Sequence, residues 1–242
     1  MIGKIALITG ANKGIGKEIA RQLGAQGMTV LIGARDPERG QQAAAELKGG
    51  GADAYFVPLD VTNADSIAAA AAQVEQDYGR LVVLVNNAGI SADGGPSSAL
   101  TLTMDSLRRT YDTNFFGVFA VTQAFLPLLK KSPAGRIVNM SSGLGSLAAN
   151  SDPNSPYAAI KPLAYNSSKA ALNMLSVIFA AALKDTGIKV NAADPGYTAT
   201  DLNQNSGPRT VEQAATEPVR LATLPEDGPT GGFFDENGPV AW

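Results

Sequence analysis

Short apolar segments alternate with helical segments along the chain of 242 residues, and this alternation limits the fold more than any other feature. The apolar segments are almost continuously hydrophobic, which is typical of parallel strands that helices cover on both faces. We predict strands at 4–9, 29–33, 54–59, 81–86, 136–140 and 189–193, and a seventh at 232–235. Helices are predicted at 15–26, 37–48, 65–78, 104–131 and 163–185. Repeated β-α-β units with right-handed crossovers indicate an α/β fold, a doubly wound parallel sheet of seven strands.

The composition excludes several kinds of catalytic centre. The chain has no cysteine and no histidine, which rules out thiol nucleophiles, Ser-His-Asp triads and imidazole or thiolate metal sites, and we expect no metal. Acid–base chemistry near neutral pH must therefore use carboxylates, lysine or a tuned tyrosine. A net charge of −3 argues against a nucleic-acid partner. With no secretory signal and no apolar run of the roughly 20 residues that a membrane helix needs, we expect one cytoplasmic domain over residues 1–242.

Two polar segments interrupt the alternation, at 143–162 and at about 198–212. Both follow the carboxyl end of a predicted strand, which is the edge where open α/β sheets bind their ligands. We therefore interpret them as substrate loops rather than as linkers between domains.

A glycine-rich turn joins the first strand to the first helix, with the sequence Thr9-Gly10-Ala11-Asn12-Lys13-Gly14-Ile15-Gly16. Gly10 would allow the tight turn, Gly14 would let backbone approach a pyrophosphate, and Gly16 would permit close packing of helix on strand. The phosphates would lie on the exposed N–H groups at the positive end of the helix dipole. Glycines can also serve backbone geometry alone, but the strand–turn–helix context favours dinucleotide binding in a Rossmann-type fold.

The end of the second strand bears on the choice of dinucleotide. Chains that bind NAD usually carry an acid about 20 residues past the glycines, where it binds the ribose hydroxyls. Here the strand ends in Ala34 and Arg35, and Asp36-Pro37 is typical of a helix N-cap followed by proline at the first helical position. Arg35 and Lys13 would face a 2′-phosphate, although two solvated surface charges are the alternative. We predict NADPH as the cofactor.

Two Tyr–Lys pairs have the four-residue spacing that puts both side chains on one helix face, Tyr165 with Lys169 and Tyr157 with Lys161. A free phenol has a pKa of about 10, and a neighbouring cation lowers that pKa, so a paired tyrosine can donate a proton near neutrality. Tyr165 and Lys169 open a long apolar helix, whereas Pro162 disfavours helix at Lys161. We therefore assign the acid–base chemistry to the first pair.

Several further motifs accompany the glycine-rich turn and the Tyr165–Lys169 segment. They are Asp60-Val61, Asn86-Asn87-Ala88-Gly89, Asn114, Ile137-Val138-Asn139-Met140-Ser141-Ser142 and Pro195-Gly196. With these motifs the chain resembles a short-chain dehydrogenase/reductase over essentially its whole length. Within that family it is most similar to NADPH-dependent carbonyl reductases, a likeness supported by Lys13, Arg35 and the ending Gly231-Gly232-Phe233-Phe234-Asp235.

The resemblance implies a role for each matching residue. Tyr165 would be the general acid in reduction and the base in oxidation, and Lys169 would lower its pKa and hold the nicotinamide ribose. Ser142 would hydrogen-bond the substrate carbonyl oxygen, with Ser141 as the alternative. Asn114 would anchor a water leading protons to Lys169, or else bond a backbone carbonyl. The remaining cofactor contacts implied are Gly10, Asn12, Lys13, Gly14, Ile15, Gly16 and Arg35 at the phosphates, Asp60 and Val61 at the adenine, Asn87, Ala88 and Gly89 at the adenosine side, and Pro195, Gly196, Thr198 and Thr200 by the nicotinamide and the phosphates.

Two departures from the family pattern stand out. Val82 lies in the fourth strand where the family usually carries Asp, and we expect a modest effect on stability and none on mechanism. The segment from Ser142 to Tyr165 is longer than in the shortest family members, which leaves both a monomer and a homo-oligomer open.

The sequence thus predicts reversible hydride transfer between NADPH and a small-molecule ketone or aldehyde, with the alcohol as substrate in reverse. One alternative is a reductase of 3-oxo groups bound to an acyl carrier, for which only Lys130-Lys131 suggests a basic docking surface. A second alternative is a dinucleotide-binding sensor without turnover, which would not need a complete set of Tyr, Lys and Ser.

Overall fold

The structure, a computed structural model, describes residues 3–93 and 99–242. Its strands are β1 (Ile5–Thr9), β2 (Thr29–Ala34), β3 (Asp53–Pro58), β4 (Val83–Asn86), β5 (Arg136–Met140), β6 (Lys189–Ala193), β7 (Phe233–Asp235) and β8 (Gly238–Pro239). Within the described residues they form one sheet in the order β3-β2-β1-β4-β5-β6-β7-β8. Neighbouring strands are parallel from β3 to β7, which confirms the predicted doubly wound α/β fold.

The prediction of seven parallel strands is corrected by β8, which pairs with β7 in the antiparallel direction. Pro239 lies opposite Phe234, and a proline is tolerated there because an edge strand leaves one side of its backbone unpaired. The strand has two residues, so its sequence shows no alternation of apolar and polar positions that would predict it.

Helices cover both faces of the sheet, as predicted. They are α1 (Gly14–Ala25), α2 (Pro37–Gly49), α3 (Ala64–Tyr78), α4 (Met104–Tyr111), α5 (Val118–Lys130), α6 (Leu147–Ser151), α7 (Leu163–Ala182) and α8 (Val211–Ala222). Successive side chains of a strand point to opposite faces, and in β1 they enter two separate cores. Ala6 and Ile8 pack with residues of α1, α2 and α8, whereas Ile5 and Leu7 pack with residues of α3, α5 and α7.

Three helical segments differ from the prediction, and one of them, α6, lies inside the predicted loop at 143–162. The predicted helix at 104–131 is divided by a π-helical segment, Asp112–Gly117, which lies between α4 and α5. The helix α8 replaces the end of the predicted loop at 198–212, and a capping box of Thr210 and Gln213 begins it. That box is readable in the sequence, but Pro218 inside the helix argues against a helix.

Val82 is buried next to β4 and packs in the apolar core, as expected for a valine at the start of a central strand. In the part of the chain that the structure describes, none of the helices combines the length and the apolar character that crossing a membrane requires.

Candidate active site

The carboxyl ends of the parallel strands meet at one edge of the sheet, and a cleft of about 680 Å³ lies there. The strand order changes direction at this edge, because β2 and β3 lie on one side of β1 and β4 lies on the other. Open α/β sheets bind ligands at such a switch point. The cleft is lined by Gly10, Asn12, Lys13, Gly14, Ile15, Gly16, Ala34, Arg35, Leu59, Asp60, Val61, Thr62, Asn87, Ala88, Gly89, Ile90, Thr113, Ala199, Thr200, Asp201, Leu202, Asn205 and Val211.

The glycine-rich turn forms one wall of this cleft and requires its glycines. Gly10 and Gly14 have positive φ angles of 63° and 56°. A Cβ atom at Gly16 would lie 2.4 Å from Nδ2 of Asn87, whose amide donates hydrogen bonds to the carbonyls of Thr9 and Gly10. Among the described residues no side chain caps the start of α1, and its first turn has no acidic residue. The N–H groups at this helix end therefore fit a phosphate group.

Asp36 caps the second helix, as predicted. Its Oδ1 accepts a hydrogen bond from the N–H of Arg39 at 3.1 Å, and Pro37 occupies the first position of α2. Its Oδ2 lies 3.3 Å from Nε of Arg39. The Asp36 carboxylate thus binds residues of α2. Of this segment, Ala34 and Arg35 line the cleft.

The two predicted cations both line the cleft but differ in their partners. Arg35 is exposed. Lys13 donates a hydrogen bond from Nζ to Asp201 at 2.5 Å, which joins the glycine-rich turn to the loop after β6. The Lys13 and Asp201 side chains are 56% and 65% exposed, and an ion pair this exposed contributes little to stability. Breaking this ion pair so that Lys13 binds a phosphate instead therefore costs little free energy.

Most of the other predicted cofactor residues also line the cleft, but two groups do not: the pair Tyr165 and Lys169, and a group after β6. Pro195, Gly196 and Thr198 lie outside the lining. The Thr198 side chain is buried, and its hydroxyl donates hydrogen bonds to the carbonyls of Pro195 and Gly196, both at 3.1 Å. Thr198 therefore stabilises the turn after β6, and its place beside the nicotinamide and the phosphates stays a prediction.

Tyr165 and Lys169 lie on one face of α7, and Nζ of Lys169 is 5.5 Å from the centre of the Tyr165 ring. Lys169 is buried, and its Nζ donates a hydrogen bond at 2.7 Å to the carbonyl of Met140, the last residue of β5. A Cβ atom at Gly89 would lie 3.6 Å from the same Nζ, so the pair adjoins the cleft that Gly89 lines. The predicted alignment of the pair is confirmed.

Burial raises the pKa of Tyr165 to about 12, the negative charge of Asp194 adds to this rise, and a hydrogen bond with Ser142 opposes it. Burial also lowers the pKa of Lys169 to about 8. The ammonium group of Lys169 donates to a backbone carbonyl and stands over the phenol ring, and its lowering of the Tyr165 pKa stays a prediction. At neutral pH Tyr165 is therefore protonated, which is the form that a proton donor needs.

The two serines after β5 have different partners. Ser141 is buried, and its hydroxyl donates a hydrogen bond to Oδ1 of Asn173. Ser142 accepts a hydrogen bond at its Oγ from the N–H of Leu144 at 3.2 Å and lies within hydrogen-bonding reach of Tyr165. Ser141 is thus fixed in the core, whereas Ser142 stands beside the candidate proton donor, as the prediction for the substrate contact requires.

Asn114 lies in the π-helical segment and is fully buried. Its Nδ2 donates to the carbonyl of Ile90 at 2.9 Å and to Oγ of Ser168 at 3.0 Å, and its Oδ1 accepts from the N–H of Ile90 at 2.9 Å. The alternative role, bonding a backbone carbonyl, is present in this network, and the water anchor stays a prediction. The side chain fastens the loop after β4 to α7.

As predicted, the second Tyr–Lys pair, Tyr157 and Lys161, is not aligned on a helix. The segment from 152 to 162 contains turns, and Nζ of Lys161 donates to the carbonyl of Asn150 at 2.7 Å. Tyr157 nevertheless reaches the site, since a Cβ atom at Gly143 would lie 2.7 Å from its hydroxyl oxygen. No local sequence signal places Tyr157 there.

Asp93 is a further residue that sequence reasoning missed. Its two carboxylate oxygens accept hydrogen bonds from the N–H groups of Ala164 and Tyr165, at 3.0 and 3.1 Å. This carboxylate from the loop after β4 therefore stabilises the first turn of α7, on which Tyr165 lies. The contact spans more than 70 residues of sequence, so no spacing pattern reveals it.

Known proteins resemble this chain over nearly all of its length. A family model described as short chain dehydrogenase matches residues 4–210. Short-chain dehydrogenase anuI from Penicillium roqueforti is 39% identical over 227 residues, which cover 90% of this chain and 88% of that protein. (−)-Isopiperitenone reductase from Mentha piperita is 32% identical and the match covers 99% and 98% of the two chains. The crystal structure of NADPH-bound carbonyl reductase from chicken fatty liver has a TM-score of 0.86 and 32% identity, over 100% of this chain and 99% of that one.

Proposed function

Because the chain belongs to the short-chain dehydrogenase family, we propose that it is an NADPH-dependent carbonyl reductase that acts reversibly on ketones or aldehydes. The observation that carries the proposal is the grouping of Tyr165, Lys169 and Ser142 next to a cleft that begins at a glycine-rich turn. Further support comes from a relative that is a reductase and from a similar structure whose protein is an NADPH-bound carbonyl reductase.

In reduction, Tyr165 gives the proton of its hydroxyl to the carbonyl oxygen of the substrate. Ser142 donates a hydrogen bond to the same oxygen, where negative charge develops as the carbonyl carbon is reduced. The nicotinamide cofactor supplies the hydride when it is bound. Lys169 lies beside Tyr165 and would bind the nicotinamide ribose through its ammonium group. In oxidation, the phenolate of Tyr165 takes the proton from the alcohol.

Different residues of the cleft lining would bind different parts of the cofactor. The glycine-rich turn would hold the pyrophosphate on the N–H groups that begin α1. Asp60 and Val61 would border the adenine, and Arg35 with Lys13 would bind the 2′-phosphate. Asp36, which caps α2, leaves no acidic side chain at the end of β2 for the ribose hydroxyls of NADH.

The double variant Ala34→Asp/Arg35→Ala is expected to move the preference from NADPH towards NADH. Charge-assisted hydrogen bonds to a 2′-phosphate are worth roughly 1.5–3 kcal/mol each, which corresponds to a change on the order of tenfold to a hundredfold in kcat/KM. The change should appear mainly in the KM of the cofactor, because these contacts are remote from the hydride and persist through the transition state. The measurement is kcat/KM for both cofactors.

The control for this change is Lys48→Ala, which removes a cation from the other end of α2, where Lys48 stands over the ring of Tyr55. It should leave the ratio of the two cofactors unchanged. A double variant with an unchanged ratio, or a native protein that uses NADH as well as NADPH, would contradict the assignment of Arg35.

The pH dependence of reduction follows from the pKa of about 8 for Lys169. Below that pH the ammonium is charged and can bind the ribose, and above it the charge is lost while Tyr165, with a pKa of about 12, keeps its proton. We expect kcat/KM for reduction to be level from about pH 6 to the pKa of Lys169 and to fall above it. A fall that begins only near the ordinary lysine pKa of about 10.4 would contradict this role of Lys169.

Reduction of substrates bound to an acyl carrier has little support in this chain. Lys131 donates a hydrogen bond to Glu75 at 2.8 Å, which neutralises half of the only basic pair suggested for docking. Lys130 ends α5, and the helix leads into the amino end of β5, away from the carboxyl edge where the cleft lies. Comparing a free 3-oxo ester with the same group on a carrier protein separates the two activities.

The experiment that tests the proposed function is NADPH consumption by the purified protein with aldehydes, ketones, diketones and quinones. The proposal predicts turnover with at least one of these classes. Tight NADPH binding without consumption in the whole panel would instead support the sensor, and turnover with NADH alone would overturn the cofactor assignment.

A further inference from the structure

An acid in the loop after β6 faces the glycine-rich turn across the cleft. The residues that line the cleft include two cations, Lys13 and Arg35, and two acids, Asp60 and Asp201. Oδ1 of Asp60 accepts hydrogen bonds from the N–H and the hydroxyl of Thr62, so this acid is bound within its own turn. Asp201 instead accepts the hydrogen bond from Nζ of Lys13, which lies 188 positions away in the sequence. Asp201 thus binds a cation that the proposed function assigns to the cofactor.

The two segments that carry this ion pair lie side by side. A Cβ atom at Gly14 would lie 3.9 Å from Cγ2 of Thr200, the residue before Asp201. That distance is an ordinary van der Waals contact, and it brings the residue after Lys13 next to the residue before Asp201. The ion pair therefore joins two walls of the cleft that already touch.

Hydrogen bonds within the loop after β6 fix the segment that carries Asp201. Oδ1 of Asn203 accepts from the N–H of Thr200 at 3.1 Å, and its Nδ2 donates to the carbonyl of Thr198 at 2.8 Å. The N–H of Asn205 donates to the carbonyl of Thr200, also at 2.8 Å. These contacts do not involve Lys13, so the loop keeps the Asp201 carboxylate beside the glycine-rich turn by its own structure.

The charges that face Asp201 favour its ionised form. The hydrogen bond and the positive charge of Lys13 lower the pKa of Asp201, and Arg39 in α2 adds to this effect. Arg39 also forms an ion pair with Asp36, and Arg35 is exposed at the end of β2. Asp201 thus brings a negative charge to the part of the cleft where the proposed function places a 2′-phosphate.

We propose that Asp201 is a specificity-determining residue that competes with the 2′-phosphate of NADPH for the ammonium group of Lys13. The proposal rests on the proposed function, from which it takes the assignment of Lys13 to the 2′-phosphate. When NADPH binds, Lys13 leaves the Asp201 carboxylate and donates to the phosphate, and the carboxylate is hydrated instead. NADH has no 2′-phosphate and does not require this exchange. Asp201 therefore weakens the binding of NADPH selectively and reduces the preference that Lys13 and Arg35 create.

The test is to measure the dissociation constants of NADPH and NADH for the purified Asp201→Asn variant by cofactor fluorescence. The amide keeps the shape of the side chain and removes the charge that holds Lys13. From the usual strength of an exposed ion pair, NADPH should bind about two- to fivefold more tightly, while the affinity for NADH stays the same. Asp201→Ala, which also removes the hydrogen-bond acceptor, should give the same gain. Unchanged or weaker binding of NADPH in both variants would overturn the proposal.

The same substitution in a Lys13→Ala background shows whether the effect passes through Lys13. Lys13→Ala alone should weaken the binding of NADPH, and adding Asp201→Asn should then bring little further change, because the ammonium for which the two anions compete is gone. A gain of the same size with and without Lys13 would mean that Asp201 acts on the cofactor by repulsion alone, and the competition would be refuted.

The matched control is Glu46→Gln. Glu46 forms an exposed ion pair with Lys17, one turn further along α1 than Lys13, and both residues lie outside the cleft lining. The control makes the same change of net charge and also releases a lysine of α1, so the ratio of the two dissociation constants should remain that of the native protein. An equal gain for NADPH in Glu46→Gln and Asp201→Asn would attribute the effect to net charge and overturn the proposal.

Binding and turnover in the native protein separate this proposal from the proposed function. If the native protein binds NADPH no more tightly than NADH, or consumes no NADPH with the whole substrate panel, the proposed function fails. If the native protein prefers and consumes NADPH but Asp201→Asn does not bind it more tightly, the competition by Asp201 alone is refuted.

Discussion

Tyr165→Phe is expected to abolish carbonyl reduction, whereas Tyr157→Phe should retain most of its turnover. General acid catalysis typically contributes about 100- to 10,000-fold to a rate, and Tyr165 is the tyrosine aligned with Lys169 on α7. Phenylalanine keeps the ring that packs at the start of the helix and removes only the hydroxyl. The measurement is kcat with saturating NADPH and a carbonyl substrate identified in the screen.

Tyr157→Phe is a demanding control, because the Tyr157 hydroxyl lies against the backbone of Gly143 and within the field of Asp194. Its removal can alter the shape of the site without removing the donor. If the large loss of kcat occurred in Tyr157→Phe and not in Tyr165→Phe, the assignment of the proton donor would be wrong.

Ser142→Ala should lower kcat by about 100- to 1000-fold, which is the usual effect of removing one preorganised hydrogen-bond donor to a developing oxyanion. Ser142 is the hydroxyl beside Tyr165, so its loss leaves the carbonyl oxygen with a single protein donor. Steady-state kinetics of the purified variant measure the effect, which should fall on kcat more than on KM.

Ser141→Ala is the matched control, since it removes a neighbouring hydroxyl of the same size. That hydroxyl bonds Asn173 in the core, so we expect a mild effect on kcat and a loss of stability of about 1 kcal/mol in the free energy of unfolding. Small and equal effects on kcat in the two variants would mean that the substrate carbonyl lies elsewhere.

The central sheet could be predicted from the sequence because its strands are buried on both faces. Strands such as β1 and β5 are apolar along most of their length, and that pattern is local. The parts that were missed have conflicting or absent local signals. Pro218 masks the periodicity of α8 although Thr210 begins it with a capping box, and the two residues of β8 are too few to show any period.

The site divides in the same way between local and distant contacts. Residues brought together by one helix or one turn, such as Tyr165 with Lys169 or Asp36 with its own α2, could be predicted. The contacts of Asp93 join the loop after β4 to the start of α7, and no spacing in the sequence encodes them. For the same reason the burial that raises the pKa of Tyr165 to about 12 was not predicted, because it depends on how the loops close around α7.

The most direct test of the proposed function is to follow the hydride itself, using NADPH in which both hydrogens at C4 of the nicotinamide are replaced by deuterium. The purified protein is incubated with this cofactor and a carbonyl substrate, and the product alcohol is analysed by mass spectrometry. Reduction supported by Tyr165 and Ser142 predicts one deuterium on the former carbonyl carbon, and none in the Tyr165→Phe variant. An alcohol that carries no deuterium at that carbon would contradict carbonyl reduction by this chain. So would an incubation in which neither the carbonyl substrate nor the labelled NADPH is consumed.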